Sequence, residues 1–352
     1  MNGYKIKFNG IDRLYDAYSW RLTRRAKQAW QTGSVLQGKF LKDFEVKIAE
    51  QSSRKFAVGV GSATDALYFA MKSLGLNSTS TIACPVISYK ATSGAIKRLG
   101  AKIVYVDVDK FGSIGDLSKI DSVDAVVYVN LYGNPADYDR IKKFCELHNI
   151  PLIEDGAQSQ GAYYNNIPSG KLGDISVFSF APSKNLPCFG TGGMVLTDSI
   201  KIYENIMDLR KHGGNNLDYG YNSFLSEDHA NQMCLLLDKF PKLQKMRENI
   251  YKRYQKKLSH LQFLIKKEKN IKNSFHKCVF LSNQRDKLQT FLKNAGIETA
   301  VHYAYLLDDN PTNHYPMAEL IQAQCLSLPI YPFLKTQEVD YICEKINYFY
   351  GI

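Results

Sequence analysis

The sequence predicts an α/β protein: a large domain with a mostly parallel sheet covered by helices, plus a smaller C-terminal α/β domain. Three observations lead there. From residue 54 to 200, short β-branched runs alternate with segments of helical period, the pattern of parallel strands joined by covering helices. After about residue 225 the texture changes to long helical patterns and then to a shorter mixture of strand and helix. The length, 352 residues, suits roughly two domains and a core large enough to enclose a cleft.

Taken in order, FAVGVG (56–61), TIACPVI (81–87), KIVYVDV (102–108), DAVVYVNLYG (124–133), PLIEDGA (151–157), ISVFSF (175–180) and GMVLTD (193–198) read as strands. Between them, TDALYFAMKSLGL sets Leu67, Ala70, Met71 and Leu74 on one helical stripe, and ADYDRIKKFCELHN does so with Ile141, Phe144 and Leu147. In open sheets of this kind ligands bind beyond the carboxyl ends of the strands, so chemistry is sought in the loops that follow them. Beyond 225, two helical patterns, 226–239 and 242–260, are broken by Pro241. KCVFLSN, a helix near 285–295, IETAVHY and a closing helix near 336–349 complete the chain. The expected division is 1–225, a large domain with an N-terminal arm, and 226–352, a small C-terminal domain, closing on a shared cleft.

With 45% hydrophobic and 22% charged residues, disorder, collagen and low complexity are excluded. No run approaches the ~20 apolar residues of a membrane span, and MNGYKIKFNGIDRLYDAY lacks the apolar core of a secretory signal; a cytoplasmic protein is expected. Seven cysteines are scattered singly without a C-x-x-C pair, which suggests neither zinc nor a disulfide framework. The net charge of +11 admits nucleic acid, an anionic membrane or an anionic small ligand as partner. Much of it lies in KFPKLQKMRENIYKRYQKKL (239–258), whose spacing reads as a solvated helix face. Neither a nucleic acid nor a membrane partner is expected.

Three loops could carry chemistry. In GVGSATDALYFA, Thr64 stands where a dinucleotide fingerprint has its third glycine, which disfavours a nicotinamide cofactor and an oxidoreductase. What remains is a turn through Gly61, Ser62 and Ala63 into a helix whose free N–H groups suit a phosphate, or whose start Ser62 or Thr64 simply caps. In PLIEDGAQSQGA, Glu154 and Asp155 end a buried strand, where a carboxylate needs a cation or strong donors; a structural ion pair is the alternative, and Gln158 could reach the same crevice. In DISVFSFAPSKNLPCFGTGGMVLTD, Lys184 follows a strand ending at Ser179 and Phe180, in a loop held between Pro182 and Pro187. A desolvated lysine there becomes a nucleophile toward carbonyls, while a solvated surface lysine is the plain alternative. Together, a phosphate-binding helix start, a carboxylate after a buried strand and a loop lysine are the parts that pyridoxal phosphate needs.

GSATDAL, PLIEDGAQSQGA, GDISVFSFAPSKNLPCFGTGG, LRKHGG, GYNSFLSE and QCLSLPIYPFL, in this order from about residue 36 to 345, resemble the nucleotide-sugar aminotransferases of the DegT/StrS type, pyridoxal-phosphate (PLP)-dependent transferases of fold type I. The resemblance implies that Lys184 forms the Schiff base with pyridoxal 5′-phosphate and then shuttles the proton, and that Asp155 pairs with the pyridine nitrogen. It implies further that Gln158 sits near the ring's 3-oxygen, that Tyr89 stacks on the ring, and that the Ser62-Ala63-Thr64 turn with Ser179 cradles the phosphate. Asn222 matches an asparagine reaching the phosphate from a neighbouring subunit, which implies a homodimer with shared active sites. His212 and Tyr303 fall near the sugar in that likeness, with a capping histidine and a packed tyrosine as equal readings, and Cys188 reads as a small hydrophobe. Two departures stand out. Ala63 replaces a glycine, which predicts an altered turn if φ is positive there, and Phe224 replaces an arginine and removes its polar contact.

The activity so implied is transfer of an amino group from L-glutamate to a nucleotide-linked keto-sugar. The preferred acceptor is dTDP-4-keto-6-deoxyglucose, giving a 4-amino-4,6-dideoxy sugar, with C-3 amination of a dTDP-3-keto-6-deoxyhexose as rival. A non-catalytic PLP-binding regulatory protein is the alternative of another class, opposed by the retention of Lys184.

Overall fold

The computed structural model describes residues 5–214, 217, 219–310 and 312–352. Its centre is a seven-stranded sheet of β1 (Phe56–Val60), β2 (Thr81–Pro85), β3 (Lys102–Val106), β4 (Ala125–Val129), β5 (Leu152–Asp155), β6 (Ile175–Ser179) and β7 (Gly193–Thr197), in the order β1-β7-β6-β5-β4-β2-β3. All seven lie on the runs read from the sequence. Neighbours pair in parallel except at β7, which runs antiparallel to both β1 and β6. The start of β7 therefore lies level with the carboxyl ends of the other six.

The pleat sends successive side chains to opposite faces, and two layers of helix cover them. Val58, Val127, Val177 and Val195 join a core with α3 (Ala63–Ser73), α4 (Ala91–Leu99) and α6 (Ile200–Arg210). Their neighbours Ala57, Phe178, Met194 and Leu196 face α1 (Ile11–Gln31), α2 (Lys39–Gln51) and the first half of α7 (Glu227–Lys257). Further along the same face, Val126, Tyr128 and Leu152 meet Ile141 and Cys145 of α5 (Tyr138–His148). Leu147, expected on that stripe, is 79% exposed: six residues on from Ile141 the helix has turned about 120° away, and Cys145, at i+4, takes the buried place.

The C-terminal part has its own core. An antiparallel sheet of β8 (Gln262–Phe263), β9 (Cys278–Leu281) and β10 (Cys325–Leu328) packs with the second half of α7, with α8 (Arg285–Asn294) and with α10 (Thr336–Tyr350); α9 (Pro316–Gln324) precedes β10. Ile6 belongs to this core and bridges Ile297. The expected strand IETAVHY forms only isolated bridges, Ile297 to Ile6 and Ala300 to Ser327, because the chain turns from the small sheet into the cleft at His302 and Tyr303.

The break expected at Pro241 is absent, since α7 runs through it for 31 residues. Proline in a helix interior costs about 3 kcal/mol, but Leu236, Leu237, Phe240 and Leu243 are all buried around it, and this packing outweighs the lost hydrogen bond. Glu227, at the start of α7, caps α2 by accepting the N–H groups of Gly38 (2.9 Å), Phe40 (2.9 Å) and Leu41 (3.0 Å). The basic stretch along α7 is mostly a solvated face, with Lys245 and Lys252 on Glu248 and Lys257 on Asp340. Arg247 departs from it, being buried and donating to the Ile330 carbonyl at 2.7 Å. We propose the two units read from the sequence, 1–225 and 226–352, with α7 shared between their cores. No helix among the described residues is long and apolar enough to cross a membrane.

Beneath the site, Arg54 ties three segments together. Its Nε donates to the Gly170 carbonyl (2.7 Å), Nη2 to the Gly173 carbonyl (2.5 Å) and Ser176 Oγ (3.1 Å), and Nη1 to Asp198 (2.9 Å). Burial opposes ionisation of Asp198, but Lys171, the Lys55 N–H and Arg54 hold its carboxyl down at about 2. This contribution is complete above the ordinary carboxyl pKa of 3.8 and is lost as the pH falls toward 2. Arg54→Ala is expected to lower stability by about 3 kcal/mol at neutral pH, read from urea unfolding, with the deficit shrinking as the pH approaches 2.

Candidate active site

The strand ends converge on a cavity of about 320 Å³. After β1 the chain turns at Gly61 and Ser62 into α3; Ser62 Oγ accepts the Asp65 N–H at 3.1 Å and so caps the helix. The N–H groups of Ala63 and Thr64, in the first turn, have no intrahelical acceptor and face a site where the helix dipole favours an anion. Ala63 is the first helical residue and is not among those with positive φ, so the alanine fits and the altered turn expected from it does not arise. Gly193 is the residue this turn demands: a Cβ there would lie 2.4 Å from the Ser62 carbonyl carbon and 2.6 Å from the Ala63 nitrogen.

Strand β5 supplies the carboxylates. Glu154 is satisfied by five donors, Asn130 Nδ2 (2.8 Å), Ser169 Oγ (2.6 Å), Ser176 Oγ (2.7 Å) and the N–H groups of Gly170 (2.9 Å) and Leu172 (3.0 Å). It is a structural hub that makes no ion pair among the described residues. Asp155, on the other face, has two: Thr92 Oγ1 at 2.9 Å and the Ala157 N–H at 3.1 Å. Burial pushes its carboxyl above the usual range, against the pull of Thr92, Ala157 and Lys184. Such a carboxylate is short of positive charge.

Lys184 sits in the connection from β6 to β7. Its N–H donates to the Ala181 carbonyl at 2.9 Å, and the Cys188 N–H closes onto the Phe180 carbonyl at 2.7 Å. Asn185 anchors the loop from below, donating to the Ser274 carbonyl at 2.7 Å and meeting His276 Nδ1 at 3.0 Å. Desolvation pulls the Lys184 ammonium down to about 8, with Asp155 resisting, so a substantial fraction is neutral amine near physiological pH. Gln158 is buried, its Oε1 accepting the Tyr132 N–H (2.9 Å) and its Nε2 donating to the Tyr303 hydroxyl (3.1 Å). Tyr89, 58% exposed, stands at the rim with its ring 6.2 Å from that of Tyr303.

Eight of the nine residues singled out from the sequence line this one cavity: Ser62, Ala63, Thr64, Tyr89, Asp155, Gln158, Ser179 and Lys184. Asn222 does not; it is exposed, in a bridge with Lys211. His212 also lies outside the cavity, whereas Tyr303 lines it. Cys188 is buried with its thiol pushed up to about 12 by desolvation, consistent with a small hydrophobe. Phe224 packs its ring 5.6 Å from the Arg210 guanidinium, which is itself paired with Glu45 at 2.6 Å. Sequence reasoning missed Thr92, His276, Lys277 and His302, all in the lining. The last three come from the C-terminal part, where a lysine before a buried strand in a lysine-rich chain gives no local signal.

The profile of the DegT/DnrJ/EryC1/StrS aminotransferase family matches residues 19–347. The chain belongs to this family. It shares 31% identity over 364 residues, 97% of each chain, with a pleiotropic regulatory protein of Geobacillus stearothermophilus. It shares 31% over 333 residues, 90% of this chain and 92% of the other, with the UDP-2-acetamido-2-deoxy-3-oxo-D-glucuronate aminotransferase of Pseudomonas aeruginosa. The crystal structure of Streptomyces venezuelae DesV in complex with a ketimine intermediate matches with a TM-score of 0.93 at 27% identity, over 98% of each chain. The protein is thus a fold type I aminotransferase, and pyridoxal 5′-phosphate is its cofactor. The cavity fits that group, offering an amine, a buried carboxylate short of positive charge and an anion-binding helix start.

In cofactor-free protein, isotope-coded acetylation read by peptide mass spectrometry should give Lys184 an apparent pKa near 8, its reactivity rising as the pH passes that value. Asp155→Ala, which removes the one group resisting the shift, should move it lower still.

Proposed function

We propose that this protein transfers an amino group from L-glutamate to a nucleotide-linked keto-sugar. The observation that carries the reading is the pairing of Lys184 with Asp155 across one desolvated cavity whose edge is the N-terminus of α3. Pyridoxal 5′-phosphate supplies an aldehyde that takes up amino groups and a ring that withdraws electrons from the carbon losing its proton. Lys184 would hold that group at its aldehyde carbon, and its amine, neutral in part near pH 8, would take and return the proton at the substrate carbon. Asp155 would hold the ring nitrogen and keep it protonated, the cation its carboxylate lacks. Ala63, Thr64 and Ser179 would hold the phosphate, Tyr89 the ring face, and Gln158 the ring oxygen. Neutral His276 and His302, both held well below the usual histidine range by burial, keep the wall polar without adding charge.

The exposure of Asn222 outside the cavity suits a contact made across a homodimer interface. For the acceptor, dTDP-4-keto-6-deoxyglucose remains the first choice, giving a 4-amino-4,6-dideoxy sugar in the cytoplasm. Amination at C-3 is the second reading, supported by the 3-oxo position in the name of the Pseudomonas aeruginosa relative. A non-catalytic regulatory role, the description of the Geobacillus stearothermophilus relative, is opposed by the placement of Lys184.

The purified holoprotein should be yellow and lose that colour irreversibly with borohydride, with the added mass on the peptide holding Lys184. Lys184→Ala should abolish both the attachment and transamination, and Asp155→Asn should lower turnover by about 10² or more. Incubation with glutamate and a panel of 3-keto and 4-keto nucleotide sugars, followed by NMR, shows which carbon receives nitrogen; no aminated product from any member would reject the proposal.

A further inference from the structure

Among the described residues lining this cavity, one lysine lacks a counter-charge. Lys277, one residue before β9, lines the cavity of Lys184 from the C-terminal domain. Its N–H is fixed on the Tyr132 carbonyl at 3.1 Å, and its Nζ lies 4.8 Å from the centroid of the Phe8 ring. Among the described residues it makes no ion pair, and the charged groups acting on it, Lys184 and Arg247, are both cations. Desolvation beside these two pulls its ammonium down to about 7.

The histidines of this wall are already engaged, His276 with Asn185 and His302 Nδ1 with Ser327 Oγ at 2.9 Å. Arg247 lines the adjoining pocket, with Nη1 on the Ile330 carbonyl and a buried Nε without a partner. Asp155 holds Thr92 and the Ala157 N–H and is set against Lys184. Near neutral pH such a desolvated amine is only partly protonated, because the described residues set no anion against its charged form. An anion entering the cleft would favour that charged form, and a lysine ammonium is a compact point charge suited to receive one.

We infer that Lys277 is the receptor for a carboxylate of the substrate, holding it across the cavity from Lys184. This rests on the proposed transamination and deepens it by naming the charged handle by which a substrate is gripped. The carboxylate has two sources of the same chemistry, the amino-acid donor or a sugar acceptor oxidised to the acid at C-6.

The test is calorimetric titration of holoenzyme with glutarate, a dicarboxylate lacking the amino group, and with UDP-glucuronate and UDP-glucose, which differ by one carboxylate. Lys277→Met should weaken glutarate, or UDP-glucuronate but not UDP-glucose, by at least about tenfold, the worth of a charge-assisted contact. Lys277→Arg should stay within about threefold of the wild type, and whichever ligand responds identifies the source. Lys277→Gln repeats the measurement if the methionine variant does not fold. The inference is overturned if neither carboxylate ligand weakens, if the two UDP-sugars weaken alike, if the arginine variant is as weak as the methionine one, or if the wild type binds none of the three. A wild type that binds glutarate through Lys277 yet aminates no nucleotide sugar would instead remove the proposed acceptor and leave this site standing.

Discussion

Everything at this site depends on two carboxylates in successive positions of one buried strand. The pleat forces Glu154 and Asp155 to opposite faces of β5, and the protein treats them oppositely. Glu154 receives five hydrogen bonds and locks β5 to the loop 169–172 and to β6. That anchorage fixes the strand end, so Asp155 can stand in a desolvated cavity with Thr92, the Ala157 N–H and the charge of Lys184 for support. The first carboxylate is stable because its needs are met within the chain. The second is useful because they are not.

The cleft is also a place where cations accumulate. Lys184 comes from the loop after β6 and Lys277 from the C-terminal part, with Arg247 in the adjoining pocket, and desolvation rather than mutual repulsion is the larger influence on both lysines. An amine near its titration point carries out proton transfer that a fully charged one cannot. Bringing such groups together requires rigid supports, and Asn185 provides one by joining the Lys184 loop to Ser274 and His276.

The strands and the large-domain site were legible because buried parallel strands write themselves as short β-branched runs, and because ligand groups follow their ends: Asp155, Gln158, Ser179 and Lys184 each fall within a few residues of a run. Contacts made across the chain leave no such mark. Thr92, His276, Lys277 and His302 reach the cavity through tertiary packing, and nothing in their local sequence announces it. Pro241 misled for the converse reason, since a local rule was overruled by burial of Leu237 and Phe240. Ala63 did so because its backbone turned out helical, a conformation alanine favours.

The reversed direction of β7 has a further consequence. Because β6 and β7 are adjacent, the lysine loop of residues 180–192 doubles back on itself and is clamped at Phe180, which donates to the Gly192 carbonyl and accepts from the Cys188 N–H, with Gly193 pressed against Ser62. Lengthening or shortening it would drag the amine off its mark, so descendants of this scaffold have little freedom to diversify there. The opposite wall, residues 277–303, hangs largely from a separate core and, past the tie of His276 to Asn185, lies outside that clamp, which makes it the natural place for new substrate preferences to arise.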